Sequence, residues 1–362
     1  MRTMLVLILA AALPSAARAH GRVYTESNAA DGNEVLVFDG GGDATPIARV
    51  ATGGRGAGAG LGSQAALALS DDGRWLFAVN AGSGDVSVLS VHGGALRLLT
   101  RAATGGSMPI SVAVHGDLVY VLDAGGDGDV SGFRLGAGGA LTPLGRHALA
   151  NAAAGPAQVA FSPAGDSLVV TEKATNCIDT LPLDADGRAG AASCHPSAGQ
   201  TPFGFAFAPP EWDWFGNRYD RLIVSEAFGG AAGASTVSSY LVAGDAVDAL
   251  APAVRTEQTA ACWIALAHGG RYVYTTDAGS DAVTGYRLHA DGALRLLRAD
   301  GKSGDTGAGS HPIDAAVDGS ALYVLASGTH TIVSFRVRGD GSLAPAATIT
   351  GLPPFAAGLV AR

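Results

Sequence analysis

Acidic and amide side chains recur at one place in a repeated pattern. Asn80, Asp123, Glu172, Glu226 and Asp277 each close a short apolar run, in LFAVN, VYVLD, LVVTE, LIVSE and VYTTD, just before a turn. Glu26 or Asn28 stands near the matching place at the start of the chain. Carboxylates gathered in one cleft can act as general base and acid when close burial pushes one pKa upward. They can equally hold a divalent cation such as calcium. Asp and Asn before turns also cap them with their own side chains, and that reading suits Asn80, Asp123 and Asp277. Glutamate makes such turns poorly. Glu172, followed by Lys173 and Asn176, and Glu226, ahead of the glycine-rich FGGAAGAS, therefore stand out as the acid and base, with Lys173 or His311 to steady developing negative charge.

A second set of residues lies in the segments leading into further apolar runs: Gln64, Gln158, Gln200, Phe203, Gln258, Trp263 and His311. Together with Asn176, Asp123 and Asp277 they could hold a polar ligand by hydrogen bonds, with Phe203 or Trp263 stacked on a ring. His195 and His311 each precede proline and stand apart from other histidines, which reads as loop structure rather than metal ligation. Cys262 has no histidine beside it in sequence and reads as a buried thiol rather than a nucleophile. The chain contains no GxSxG, HExxH or CxxC, and GGRGAGAGLG from Gly53 is not followed by a helix that could cradle phosphate. No organic cofactor is implied.

The elements that must position these residues are strands. LFAVNAGSGDVSVLSV recurs as VYVLDAGGDGDVSGFRL and VYTTDAGSDAVTGYRL, with looser copies from Leu168, Leu222 and Leu322. Each copy is a strand, a turn and an alternating strand. A further apolar strand precedes each copy, as in MPISVAVHG, PAQVAFSP and PFGFAFAP, and a fourth such as GALRLLTRAATGG follows most. Four strands over roughly 45 to 50 residues read as the blades of a β-propeller. The N-terminal RVYTES, EVLVFD and ATPIARVATGG lack an innermost strand, and the C-terminal PFAAGLVA is an innermost strand without followers. The expected fold is thus an all-β, seven-bladed propeller whose C-terminal strand completes the first blade and removes an open sheet edge. The acidic set and the glutamines would then meet at one mouth of its channel. The insertion EWDWFGNRYDR, with Trp212, Trp214, Phe215 and Tyr219, falls on the opposite face.

Residues 1–19 pair Arg2 with an apolar run and the small-residue pattern Ala17-Arg18-Ala19, the form of a cleaved secretion signal, leaving one domain over 20–362. The expected location is secreted or periplasmic. No segment has the length of continuous apolar sequence that a membrane helix needs. Loss of Arg2 and Arg18, with no acid in the leader, takes the formal charge from −9 to −11 and argues against nucleic acid as a partner. Cys177 and Cys194 flank the turn Asp184-Ala185-Asp186-Gly187, so a hairpin there would set them opposite each other and permit a disulfide. A closed ring has no edge to hide, so a monomer is expected.

The segments SDDGRWLFAVNAGSGDVSVLSV, AFSPAGDSLVVTEKATNCID and RLIVSEAFGGAAGASTVSSY resemble the lactonase-type seven-bladed propeller family, which includes 6-phosphogluconolactonases and carboxymuconate lactonising enzymes. The resemblance implies hydrolysis or isomerisation of a lactone-like or organic-acid substrate at the channel mouth. Enzymes of that family usually open the matching blade with Gly-Pro-Arg-His and continue to Asn-Glu. This chain has Thr201-Pro202-Phe203-Gly204, keeps Glu226, and has Gln158 where a histidine is typical. With those Arg and His groups replaced, the implied substrate is unphosphorylated. The alternative is a binding propeller of the cell exterior, in which the mouth or the 211–221 loop docks an envelope protein.

Overall fold

The computed structural model describes residues 21–93, 95–212 and 218–362. The expected leader over 1–19 and its cleavage before His20 lie outside the described residues, as do Trp214 and Phe215. Seven antiparallel sheets form the blades of a propeller. Blade 1 joins Ala48–Ala51, Glu34–Asp39 and Arg22–Glu26 to the C-terminal Ala357–Ala361, so the last strand closes the ring. Blades 2 to 7 occupy 67–103, 109–148, 156–196, 202–255, 261–305 and 312–349 in turn.

Stacked blades bury both faces of their inner strands, and such strands read as near-continuous apolar runs. The second strands Trp75–Asn80, Leu118–Asp123, Ser167–Glu172, Tyr272–Asp277 and Ala321–Ala326 are buried along almost their whole length. Outer strands such as Leu141–Ala148 reach solvent and are exposed or half-buried at every residue. The only helical turn among the described residues is Phe228–Gly230.

Three details depart from the sequence reading. In blade 6 the outer edge is split between Leu294–Leu296 and Lys302–Asp305, both paired with Ala282–Leu288. In blade 5, Glu211–Trp212 pairs with Arg218 and Tyr219, so both ends of the insertion carry strand pairing. Cys177 and Cys194 are bonded, but not across directly opposed positions: Cys194 pairs with Asp179, Cys177 with Pro196, and the bond runs diagonally over a Cα–Cα distance of 5.7 Å. The hairpin is asymmetric because its closing bridge joins Leu183 to Ala189.

Candidate functional site at the channel mouth

The second-strand acids do not open onto the channel. Glu26, Asn80, Asp123, Glu172, Glu226 and Asp277 are all 0% exposed, and each reaches a hydroxyl or amide in or beside its own blade. Asn80 accepts from Thr52 Oγ1 at 2.7 Å and donates to Asp85 at 2.7 Å and Ser87 at 2.8 Å. Asp123 accepts from Thr104 Oγ1 at 2.8 Å and Ser131 Oγ at 3.0 Å. Glu172 accepts from Asn151 Nδ2 at 2.8 Å and from Thr175. Glu226 accepts from Ser238 Oγ at 2.5 Å, the Gly199 N–H at 3.2 Å, Tyr240, Ser197 and Thr236. Thr52, Thr104, Asn151 and Gly199 all lie just past the outer strand of the preceding blade, so these side chains latch one blade to the next.

A carboxylate can enter this seam because the residue facing it lacks a side chain. A Cβ on Gly106 would lie 2.5 Å from Asp123 Cγ, and one on Gly199 would lie 2.6 Å from Glu226 Cδ. Burial pushes Asp123 up to about 7, although the Thr104 hydroxyl opposes it. Burial likewise raises Glu226 against four hydrogen bonds. It raises Glu26 and Asp277 well above the usual carboxylate range, and one oxygen of each has no partner. Asp179, beside Glu172, is held near 8 by burial, with the Glu172 carboxyl adding to the rise. Perturbed acids often mark functional sites, but here they mark blade seams closed to solvent. The general acid and base roles expected for Glu226 and Glu172, and the mouth positions expected for Asp123 and Asp277, are corrected accordingly.

The mouth is built instead from the innermost strands. A register irregularity interrupts the pairing of nearly every one of them near its start, at 110, 157, 203–204, 262–263 and 313 among others. An extra residue in one strand re-aims its neighbours. Gln64 and Gln158 do come from these entries, yet both are spent on structure. Gln64 reaches across the ring from blade 2 to blade 6, donating to Ile264 O at 2.9 Å and accepting from Ile264 N at 3.2 Å. Gln158 does the same for Phe205 in blade 5, at 3.0 and 2.7 Å. Trp263 Nε1 donates to Ser63 O at 2.8 Å, which ties blades 2 and 6 a second time.

Beside this plug lies a cavity of 440 Å³ walled by Leu61, Trp263, Ile313, Pro354, Phe355 and the backbone around Gly328. Lys173 crosses the mouth from blade 4: its Nζ donates to Gly62 O, on the cavity wall, at 2.6 Å and stands 4.7 Å from the centroid of Phe203 in blade 5. Phe203 in turn packs on Trp263 with centroids 5.1 Å apart. Burial lowers Lys173 to about 8. His311 is exposed, its ring against Gly328 of the cavity wall. Its Nδ1 lies 3.0 Å from the Ala278 carbonyl and donates to it.

The remaining expected residues are elsewhere. Asn176 has a left-handed backbone and accepts from Thr201 N at 2.6 Å. Gln200 is exposed, with its carbonyl bonded to Phe228 N, and Gln258 turns outward to donate to Asp300 O at 2.8 Å. Cys262 is buried, and burial raises its thiol far above the usual range. The one His, Cys and carboxylate cluster with metal-like spacing among the described residues is Cys177, Asp179 and Cys194, and its two sulfurs are already joined. Sequence reading missed Leu61, Ile313, Pro354 and Phe355. The apolar PPFAAG before the last strand was the available signal.

Residues 220–355, from the second strand of blade 5 through blade 7, match the family described as Lactonase, 7-bladed beta-propeller. Over that stretch the chain is similar in sequence to this family. Solved structures agree on the fold. A putative 6-phosphogluconolactonase from Bacteroides uniformis has TM-score 0.72 and 18% identity over 94% of this chain and 99% of its own. One from Bacteroides fragilis has TM-score 0.68 and 18% identity over 96% and 99%. A periplasmic gluconolactonase from Pseudomonas aeruginosa has TM-score 0.69 and 16% identity over 93% and 98%. No curated protein matches the chain at a significant level.

Proposed function

We propose that the protein is a lactonase-type hydrolase that takes a small unphosphorylated lactone into the mouth cavity. The observation that carries this is the pairing of an aromatic-walled cavity with two groups suited to ester hydrolysis on its flanks. The Nε2 of His311 can take a proton from water as it attacks the ring carbonyl. The Lys173 ammonium, held over Phe203 and against Gly62, can steady the oxyanion that forms. Trp263 and Phe355 offer surfaces for the ring. The residues lining the cavity include no arginine, which suits a neutral ring better than a phosphate ester.

An extracytoplasmic location belongs to the same reading, supported by the leader pattern and by the Cys177–Cys194 bond, since disulfides persist in oxidising compartments. The test is acid release from a panel of sugar and aliphatic lactones. His311→Gln should lower kcat by about 100-fold or more, the usual share of a general base. Hydrolysis unaffected by that change would remove His311 from the mechanism. A second reading, binding without turnover, is favoured by one observation: no carboxylate is among the described residues that line the cavity. It expects a thermal shift with lactones and no acid release.

A further inference from the structure

The 440 Å³ cavity at the mouth has few polar groups, and those it has are occupied. No charged side chain is among the described residues that line it, and only Ser63, Trp263 and Ser327 carry a polar side-chain atom. Each of the three donates its hydrogen to the backbone. Ser63 Oγ donates to Ile110 O at 2.7 Å, Trp263 Nε1 to Ser63 O at 2.8 Å, and Ser327 Oγ to His311 O at 3.0 Å. Two hydroxyl oxygens remain as acceptors, and no side-chain donor remains. The backbone of the wall is engaged in the same way. The N–H groups of Ser327, Gly328 and Ala356 donate to His311 O, Ser310 O and Pro353 O. The Gly62 and Ala357 carbonyls already accept from Lys173 and Thr25.

What faces the cavity is therefore mostly hydrocarbon: Leu61, Ile313, Pro354 and the rings of Trp263 and Phe355. Phe355 is 46% exposed. A large apolar ring left in water beside an apolar cavity is stabilised when a ligand covers it. A sugar ring entering the same place gives up its bonds to water and finds no side-chain donor in return. Each hydroxyl left without a partner costs on the order of tenfold in affinity. An alkyl or aryl ring has no such bonds to lose, and every apolar surface it covers favours binding. The volume lies within the roughly 300–1,000 Å³ of small-molecule sites and has room for a fused bicyclic ring.

We propose that the cavity selects lactones whose ring carries alkyl or aryl surface and rejects polyhydroxylated sugar lactones. The apolar ring lies against Trp263 and Phe355. The ester is left to the polar side chains beside the cavity, His311 against Gly328 and Lys173 on Gly62 O. Turnover of such lactones rests on the hydrolase reading, whereas their selective binding depends on the cavity wall alone.

Binding is measured with rings that have no ester to lose. Dihydrobenzofuran, an aromatic ether, and anhydroglucitol, a sugar ether, are each titrated with the folded protein by ligand-observed NMR. The aromatic ether should bind with a Kd of about 1 mM or tighter. The sugar ether should bind about 100-fold more weakly or not at all. Phe355→Ala, a substitution at an exposed position checked for native circular dichroism, should weaken binding of the aromatic ether about tenfold. Acid release, corrected for spontaneous hydrolysis, should favour dihydrocoumarin over gluconolactone in kcat/KM by about 100-fold. No saturable binding of the aromatic ether, equal binding of the sugar ether, or undiminished aromatic binding in Phe355→Ala overturns the proposal. Selective aromatic binding with no acid from either lactone sinks the hydrolase reading alone, and turnover that favours gluconolactone sinks this one alone.

Discussion

Replacing Asp123 by asparagine should flatten the pH dependence of stability and leave the fold intact. Asp123 is buried at the end of the second strand of blade 3, and its carboxyl is raised from 3.8 to about 7 by burial, with Asp129 adding like-charge repulsion. Between those two values the folded protein holds a proton that the unfolded chain has released. The contribution of Asp123 is therefore complete below about pH 4 and is lost as pH rises towards 7. A gap of about three units corresponds to roughly 4 kcal/mol. Asparagine imitates the protonated acid at every pH, and the protein already uses it: in blade 2, Asn80 donates to Asp85 and Ser87, whose counterparts here are Asp129 and Ser131. Urea denaturation at pH 5 and pH 8 would read the effect. Asp123→Asn should gain on the wild type by about 2–3 kcal/mol between pH 5 and pH 8. Other buried acids contribute to the wild-type slope, so the quantity that counts is the difference between the two proteins. A variant destabilised equally at both pH values would refute a protonated latch.

Glu226→Ala removes the acceptor for five donors at the blade 4 to blade 5 seam and should cost about 3 kcal/mol. Its melting temperature should fall whether or not a lactone is present. Deleting residues 355–362 takes away Ala357–Ala361 and exposes the edge of Arg22–Glu26, and size-exclusion chromatography should show aggregates in place of a folded monomer. Cys194→Ser opens a loop with a sequence separation of 17 and should cost about 3 kcal/mol by chemical denaturation. Gln64→Ala leaves the Ile264 N–H and carbonyl without their cross-ring partners and should lower stability by about 1–3 kcal/mol.

The ring was legible because its strands repeat. Runs such as LFAVN and VYVLD are apolar up to their last residue, as strands buried on both faces require, and the turn after each recurs in register. Closure was legible from what each end lacked. The acids were also placed correctly along the chain, at the ends of second strands, but their direction was not. A strand-end side chain can point to the mouth or into the seam, and the choice is made by a residue some twenty positions away. Thr104 and Gly106 turn Asp123 inward by offering a hydroxyl and leaving room; Ser197 and Gly199 do so for Glu226. Nothing local to LVYVLD or RLIVSE records that. The contact of Gln64 with Ile264, 200 residues apart, is similarly invisible in sequence.

This arrangement separates holding the ring from acting at its mouth. Seven blades must be clamped at their inner edges, and buried acids do this with high specificity because an unfilled partner position is costly. Burial raises Glu26, Asp123 and Asp277 above the usual carboxylate range, which disfavours the ionised forms that would repel one another around one ring. Lys173 and His311, in the loops of blades 4 and 7, are held differently: the Lys173 Nζ donates to Gly62 O at 2.6 Å, and the His311 Nδ1 stands 3.0 Å from the Ala278 carbonyl while its backbone N–H donates to Asp281.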